Sequence, residues 1–334
     1  MSTWFVVGYY GFHNVGDDVV LQKTLEWIRI KDPYARTTVL SAADYPDLDA
    51  SVVLRRHPIR ALFSLSKSDE VIFGGGSLFQ DKTSFRSFCY YFAILAMARL
   101  LRKHITLLGH GFSGLRYRLS ARLLRWGLRG TAISVRDSES ADCLLRLGVL
   151  PKPFVTATDL AYFHQTAIKA AFSQRTGLSL RTIFDPRHLP ALSAFVQSLR
   201  NSDVLFYDCQ PPLDRDACNA LAPDFPCNFT VLNRDNYLDA TPCPDRMVVM
   251  RYHALVWASL RGIPCLVLAY DSKVRSLAEG LGQIIVDLTS PKTITLTELR
   301  EKWQRLEENH PHYQQAMQRN AQQYFTLANT HLTL

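Results

Sequence analysis

The sequence predicts an α/β protein of two lobes, each a parallel sheet with crossover helices, and three observations lead to it. At 334 residues the chain suits two domains of about 150 residues each, with enough apolar material for two cores. Short apolar runs of strand length alternate with longer segments of helical period, which is the rhythm of βαβ units. The alternation is interrupted once, by an extended stretch around Pro151 and Pro153 and a polar segment at 165–175 that reads as the inter-lobe connection, and then it resumes.

In the first lobe, residues 1–164, apolar runs at 4–10, 37–41, 70–73, 105–108 and 132–135 read as strands. Helical segments at 17–30, 85–101 and 117–128 lie between them. In the first of these, Leu21, Leu25 and Ile28 recur at i, i+4 and i+7 and form one apolar stripe for the sheet. Asp137 caps a further helix that carries Ala141, Leu144 and Leu145. The second lobe, residues 176–310, offers strands near 181–184, 204–207, 247–250 and 265–269, with a helix at 189–199. Its clearest unit is a helix at 253–260 stopped by Gly262 and Pro264, a strand at 265–269, and a helix at 272–281 stopped by Gly282. A final helix from Pro311 places Tyr313, Met317, Asn320 and Tyr324 on one face, so residues 311–334 are expected to pack back on the lobes.

Composition narrows the function classes. The net charge of +8 favours anionic partners. Nucleic acid is not expected, because the basic residues lack interleaved aromatics and no reader motif is present. Residues 1–10 hold no basic region followed by a long apolar stretch, so a cytoplasmic location is expected. The apolar run at 88–98 is far shorter than the roughly 20 residues that span a bilayer. Seven cysteines without a CxxC pair suit reduced thiols, and the regularly spaced Cys209, Cys218 and Cys227 have no histidine among them, so no metal is expected.

The chemistry-bearing segments fall at strand ends, where open α/β sheets place ligands. Gly8-Tyr9-Tyr10-Gly11 with Asn14, Gly16, Asp17 and Asp18 follows the first strand; it matches neither the dinucleotide fingerprint nor the P-loop, and its glycines either approach a ligand or shape a turn. Gly74, Gly75, Gly76 and Ser77 follow another strand and offer bare amides to an oxyanion, or a flexible turn. Gly109-His110-Gly111-Phe112-Ser113-Gly114 and Arg136 follow the next two. The densest cluster is Arg251-Tyr252-His253, a planar fork for a carboxylate or phosphate followed by a histidine at a helix N-terminus, with Tyr270-Asp271-Ser272-Lys273 repeating the arrangement one strand on. Separately, Arg118, Arg122, Arg125 and Arg129 form a basic stripe beside Leu119, Leu123 and Trp126, which suits either an anionic membrane surface or a solvated outer face.

Together these segments resemble the polysaccharide pyruvyl transferase family. The resemblance rests on Gly8-Tyr9-Tyr10-Gly11 with Asn14 and Gly16-Asp17, on Gly74-Gly75-Gly76-Ser77, on Ser134-Val135-Arg136-Asp137 followed by Leu147-Gly148-Val149, on Thr158-Asp159, on Arg251-Tyr252-His253-Ala254, and on Tyr270-Asp271-Ser272-Lys273-Val274. It implies two Rossmann-like lobes facing a cleft, in GT-B style. It also implies transfer of pyruvate from phosphoenolpyruvate to two hydroxyls of a sugar as a cyclic ketal, with no further cofactor. Arg136, Arg251, His253 and Lys273 match donor-holding positions. On that footing His253 is expected in proton transfer or phosphate contact, Arg251, Arg136 and Lys273 in anion binding, and Asp17 at the acceptor hydroxyl. Asn14, Gly75, Gly76, Ser77, His110 and Asp271 complete the expected substrate contacts.

The chain departs from the family pattern at His13, at the Gly109–Gly114 segment and at Asp159-Leu160-Ala161, all on the first-lobe side expected to face the acceptor. The acceptor is expected to be a sugar or lipid-linked saccharide, with the Arg118 to Arg129 stripe holding the enzyme at the inner membrane face. A GT-B glycosyltransferase using a nucleotide sugar and an inactive sugar-binding envelope protein are the alternatives.

Overall fold

The structure, a computed structural model, describes residues 1–81, 84–112, 115–149, 153–167, 172–182, 185–201, 203–211, 213–221, 229–239 and 243–334. Pro151, Ser113, Gly114, Cys227 and the end of the strand expected at 181–184 lie outside them. The chain forms two compact units, each built on its own sheet.

The first unit comprises Met1–Phe12, Asp17–His164 and Thr326–Leu334. Its elements run β1 (Thr3–Val7), α1 (Val15–Lys31), β2 (Arg36–Ser41), β3 (Ser51–Leu54), α2 (Pro58–Lys67), β4 (Glu70–Phe73), α3 (Phe85–Leu100), β5 (His104–His110), α4 (Arg118–Gly127), β6 (Ala132–Val135), α5 (Ser138–Arg146) and β7 (Phe154–Thr156). The strands pair in parallel in the order β3-β2-β1-β4-β5-β6-β7. Strand order therefore reverses between β1 and β4, which opens a crevice beyond their carboxyl ends. Leu65 of α2, Tyr91 and Leu95 of α3, Leu124 of α4 and Leu144 of α5 pack on the strand residues Phe5, Phe73, Leu107 and Val135 in one core, so these four helices share a face of the sheet.

The second unit comprises His13–Gly16 and Gln165–Phe325. Its elements are β8 (Phe172–Ser179), α6 (Leu189–Ser198), β9 (Val204–Asp208), α7 (Leu213–Leu221), β10 (Phe229–Val231), β11 (Cys243–Val249), α8 (Tyr252–Arg261), β12 (Cys265–Ala269), α9 (Ser272–Gly280), β13 (Ile284–Asp287), α10 (Leu296–Glu308) and α11 (His310–Ala328). Its parallel sheet has the order β10-β9-β8-β11-β12-β13, with the reversal between β8 and β11. Leu178, Phe206, Val248, Leu266 and Val286 meet Phe195, Trp303 and Tyr313 in its core.

The strand expected near 181–184 is corrected: β8 runs earlier, over Phe172–Ser179, and starts inside the segment 165–175 read as a polar connection. Its composition conceals it. Thr176 is buried, and Gly177 stands where a Cβ would come within 2.6 Å of Met247, so a central strand was built from residues that look like a linker. Arg181 lies in the loop just after it. The final helix buries Tyr313 and Met317 as expected, and Tyr324 and Asn320 fill the space left by Gly280 and Gly282. The last residues behave differently and group with the first unit. There His331 is buried; Ser134 Oγ donates to its Nδ1 at 2.8 Å, and its Nε2 donates to the Thr158 carbonyl at 2.9 Å. Since both partners suit a neutral ring, that tautomer follows from the network.

Candidate active site

In the second unit the carboxyl edge of the sheet carries Arg251 and Lys273, two of the three expected cations. Arg251 is the N-cap residue of α8, and its side chain forms a fork on one carboxylate. Its Nε donates to Asp214 Oδ1 at 2.8 Å and its Nη2 to the same oxygen. Asp214, in the first turn of α7, is only 2% exposed and also accepts from the backbone of Cys209 at 3.0 Å and Gln210 at 3.1 Å. Such a charge-assisted pair fixes the guanidinium plane more firmly than a rotatable arginine on a surface. Asp214 escaped sequence reading, because it is 37 residues from Arg251 and meets it only through the fold.

His253 occupies the first turn of α8, half-buried, with its ring edge-on to Tyr252 and its carbonyl accepting from Tyr237 Oη at 2.7 Å. The tip of the first glycine loop, His13–Gly16, belongs to this same unit rather than the first lobe as expected. Val15 N donates to the Cys209 carbonyl at 3.0 Å, and Asn14 Oδ1 accepts from Gly16 N at 3.1 Å. A Cβ on Gly16 would fall 1.8 Å from His253 Nδ1. Gly16 is thus a glycine so that the imidazole can lie where a side chain would be.

Lys273 lies on the first turn of α9, its Nζ 3.5 Å from Asp271, whose other oxygen caps the helix by accepting from Val274 N at 3.0 Å. Asp271 is therefore a helix cap and the partner of Lys273. Beside them, Arg181 at the end of β8 places its guanidinium 4.2 Å above the Tyr270 ring. Arg181 and Arg251 flank the strand reversal of this sheet, where α/β sheets bind ligands. Arg181 was missed because its strand was placed wrongly.

In the first unit the glycine loops are largely packing devices. A side chain on Gly74 would strike the Tyr10 hydroxyl, and one on Gly75 would press on Val20. Both glycines are buried, so the reading of three bare amides for an oxyanion narrows to Gly76. Gly76 has φ +91° and its Cβ position is 3.7 Å from Asp17 Oδ1, an acidic neighbour for that amide. Asp17 is half-buried in the first turn of α1.

Arg136, which follows β6, is nearly buried. Its side chain is 8% exposed, 3.3 Å from Asp137 and 3.8 Å from Asp159, with Nη2 donating to Ser77 Oγ at 3.3 Å. Gly111 leaves the room that this guanidinium fills. His110 is fully buried between Phe79 and Phe112, each ring 5.4 Å away, and among the described residues neither ring nitrogen meets a hydrogen-bond partner. Burial first, and the Arg136 charge second, push its pKa down to about 3. It packs beneath the site and reaches no surface.

His331 is held at about 4, again chiefly by burial. Both rings are therefore neutral when folded and titrate near 6.5 when unfolded. With folded pKa values below the unfolded one, their stability is complete above about pH 6.5 and is lost as pH falls toward 4, at about 1.4 kcal/mol per pH unit for each proton. Urea unfolding between pH 7 and 4 is expected to show this slope, and His110→Leu to flatten it by about one proton. An unchanged slope in that variant would contradict the assignment.

Among the described residues no group of three His, Cys, Asp or Glu side chains could hold a metal, and no helix is long and apolar enough to cross a membrane. Two parallel sheets, each with one reversal of strand order, define a GT-B-like fold. Solved structures similar in fold include Anabaena Alr3699/HepE in complex with UDP-glucose (TM-score 0.62, 10% identity, covering 100% of this chain and 98% of that one). A glycosyltransferase from Rickettsia africae ESF-5 has TM-score 0.62 at 9% identity, covering 99% and 95%. WaaG, a glycosyltransferase involved in lipopolysaccharide biosynthesis, has TM-score 0.59 at 14% identity, covering 99% and 98%. No protein among the curated ones matches significantly. The family model for polysaccharide pyruvyl transferase matches residues 14–272, and the chain belongs to that family. The matched span runs from Asn14 through Arg136, Arg251, His253 and Asp271, and ends just before Lys273.

Proposed function

We propose that this enzyme transfers pyruvate from phosphoenolpyruvate to two hydroxyls of a sugar, in a cell-surface polysaccharide or its lipid-linked precursor, forming a cyclic ketal. The observation that carries the reading is the alignment of Arg181, Arg251 and Lys273 beside His253 on one sheet edge, in a member of this family. Phosphoenolpyruvate presents a carboxylate and a phosphate on neighbouring atoms, and several fixed cations in one place answer that charge. Arg136, in the first unit, is a further anion-binding group in this reading.

The reaction requires a proton on the methylene carbon, which leaves the second carbon electrophilic. One sugar hydroxyl attacks it and gives up its proton, the C–O bond to phosphate breaks, and a second hydroxyl closes the ring. Overall one proton enters the methyl group, two leave the hydroxyls, and the balance departs with inorganic phosphate. His253 moves the proton to the donor carbon or steadies the phosphate, and Asp17 orients or deprotonates the acceptor hydroxyl. Titrating the protein by calorimetry with phosphoenolpyruvate and with UDP-glucose tests the donor: binding of the first is expected, and selective binding of the second would overturn the reading in favour of a nucleotide-sugar transferase.

Peripheral membrane contact is part of the proposal. α4 and the turn after it expose Arg118, Arg122, Arg125 and Arg129 beside Trp126 and Leu119, the last 58% exposed. On the same face of the sheet, α2 exposes Leu62, Phe63 and Ile59, the last 83% exposed, beside Arg60 and Lys67. Apolar and basic side chains without intervening acids suit an anionic lipid surface. The protein is expected to float with phosphatidylglycerol vesicles, and Arg118→Glu with Arg122→Glu to lower the bound fraction about tenfold or more, each cation contributing about 1 kcal/mol. Flotation indifferent to these changes would refute the contact.

A further inference from the structure

We infer that the first unit carries a built subsite for an anionic saccharide, with the Tyr9 ring as its stacking surface and Arg55 as the receptor for the negative group. The inference rests on the acceptor half of the proposed reaction and gives that acceptor a chemical class. Neither Tyr9 nor Arg55 figures among the residues expected to bind substrate.

Tyr9 and Phe12, in the loop after β1, stack nearly parallel, with centroids 4.2 Å apart and planes at 17°. The stack fixes Tyr9 while leaving it 37% exposed beside the strand reversal of the sheet. An immobilised aromatic face in a ligand crevice suits the C–H face of a sugar ring.

Arg55 enters from the end of β3. Its guanidinium carbon lies 5.3 Å from the Phe12 centroid, 4.0 Å from that of Tyr90 and 5.4 Å from that of Tyr91, and its Nε donates to Tyr90 Oη at 3.0 Å. Rings surround the cation, yet among the described residues it forms no ion pair and its two terminal nitrogens meet no acceptor. Arg136, in the same unit, has two carboxylate partners. A half-buried guanidinium held by π faces and one neutral hydroxyl remains short of one negative charge, which a bound carboxylate or phosphate supplies. Asp17 and Arg55 both lie close enough to Tyr9 to act on its hydroxyl electrostatically. A ring stacked on Tyr9 therefore has a carboxylate for its hydroxyls and a cation for its anionic substituent. That substituent is a uronate carboxylate or the phosphate of a sugar phosphate, as in a lipid-linked precursor.

Saturation-transfer NMR with glucuronate, galacturonate, glucose 1-phosphate and galactose 1-phosphate against the neutral methyl glycosides tests the subsite. At least one charged sugar is expected to bind about tenfold or more tightly than its neutral counterpart. Arg55→Gln is expected to erase that preference, and Tyr9→Leu, which keeps an apolar contact on Phe12 but loses the flat face, to weaken ring-proton saturation. A preference confined to uronates or to sugar phosphates identifies the source of the anion. No preference for charge in the wild type, or a preference that survives Arg55→Gln, would overturn the inference. Calorimetry with phosphoenolpyruvate on the same variants keeps the two readings apart. Sugar binding without donor binding in the wild type would sink the pyruvyl reading and leave the subsite standing; donor binding without sugar binding would do the reverse.

Discussion

His253→Asn is expected to lower phosphate release from phosphoenolpyruvate in the presence of acceptor by about 10²- to 10⁴-fold, the usual loss when a positioned proton-transfer group is removed. The fold should survive. The ring is half-buried at a helix start, and its backbone carbonyl still receives the Tyr237 hydroxyl. Gly16→Ala provides a second route to the same loss, because the new methyl group and the imidazole cannot share their space. If the ring mainly steadies the phosphate, donor affinity falls along with turnover; if it moves the proton, turnover falls alone. Wild-type turnover in His253→Asn would end its role in either form.

Arg251→Ala should damage both stability and donor binding, and the two effects can be separated. Asp214 is 2% exposed and would be left as a buried carboxylate whose remaining partners are backbone amides. Breaking such a pair from one side typically costs about 3–5 kcal/mol, of which most is the stranded charge. Loss of the guanidinium fork should weaken phosphoenolpyruvate by about 10- to 100-fold. Adding Asp214→Ala removes the stranded charge, so urea unfolding should move back toward wild type while donor affinity stays low. Recovery of both would make Arg251 a structural residue; recovery of neither would mean that the pair is not the source of the instability.

The strand-end logic of the sequence found the right edges but not every side chain on them. Arg251, His253, Lys273 and Arg136 could be read because each follows an apolar run and precedes a helical one. Asp214 and Arg181 could not: one joins the site through a contact between distant elements, and the other follows a strand disguised by Thr176 and Gly177. The glycine loops illustrate the opposite error. Gly74 and Gly75 look like ligand amides in sequence, yet they are small because the Tyr10 hydroxyl and Val20 need the room. Helix α2 was missed since its apolar residues Ile59, Leu62 and Phe63 face outward, so its period signals a surface and not a core. Pairing of Arg55 with Tyr90 spans 35 residues, and nothing local announces it.

The most direct test of the account is the product itself. Incubating the enzyme with phosphoenolpyruvate and a panel of neutral and anionic saccharides should release inorganic phosphate and yield a saccharide heavier by one pyruvate less one water, with both bonds to the sugar stable to base. Glycosyl transfer from a nucleotide sugar to the same panel, with phosphoenolpyruvate left intact, would contradict it.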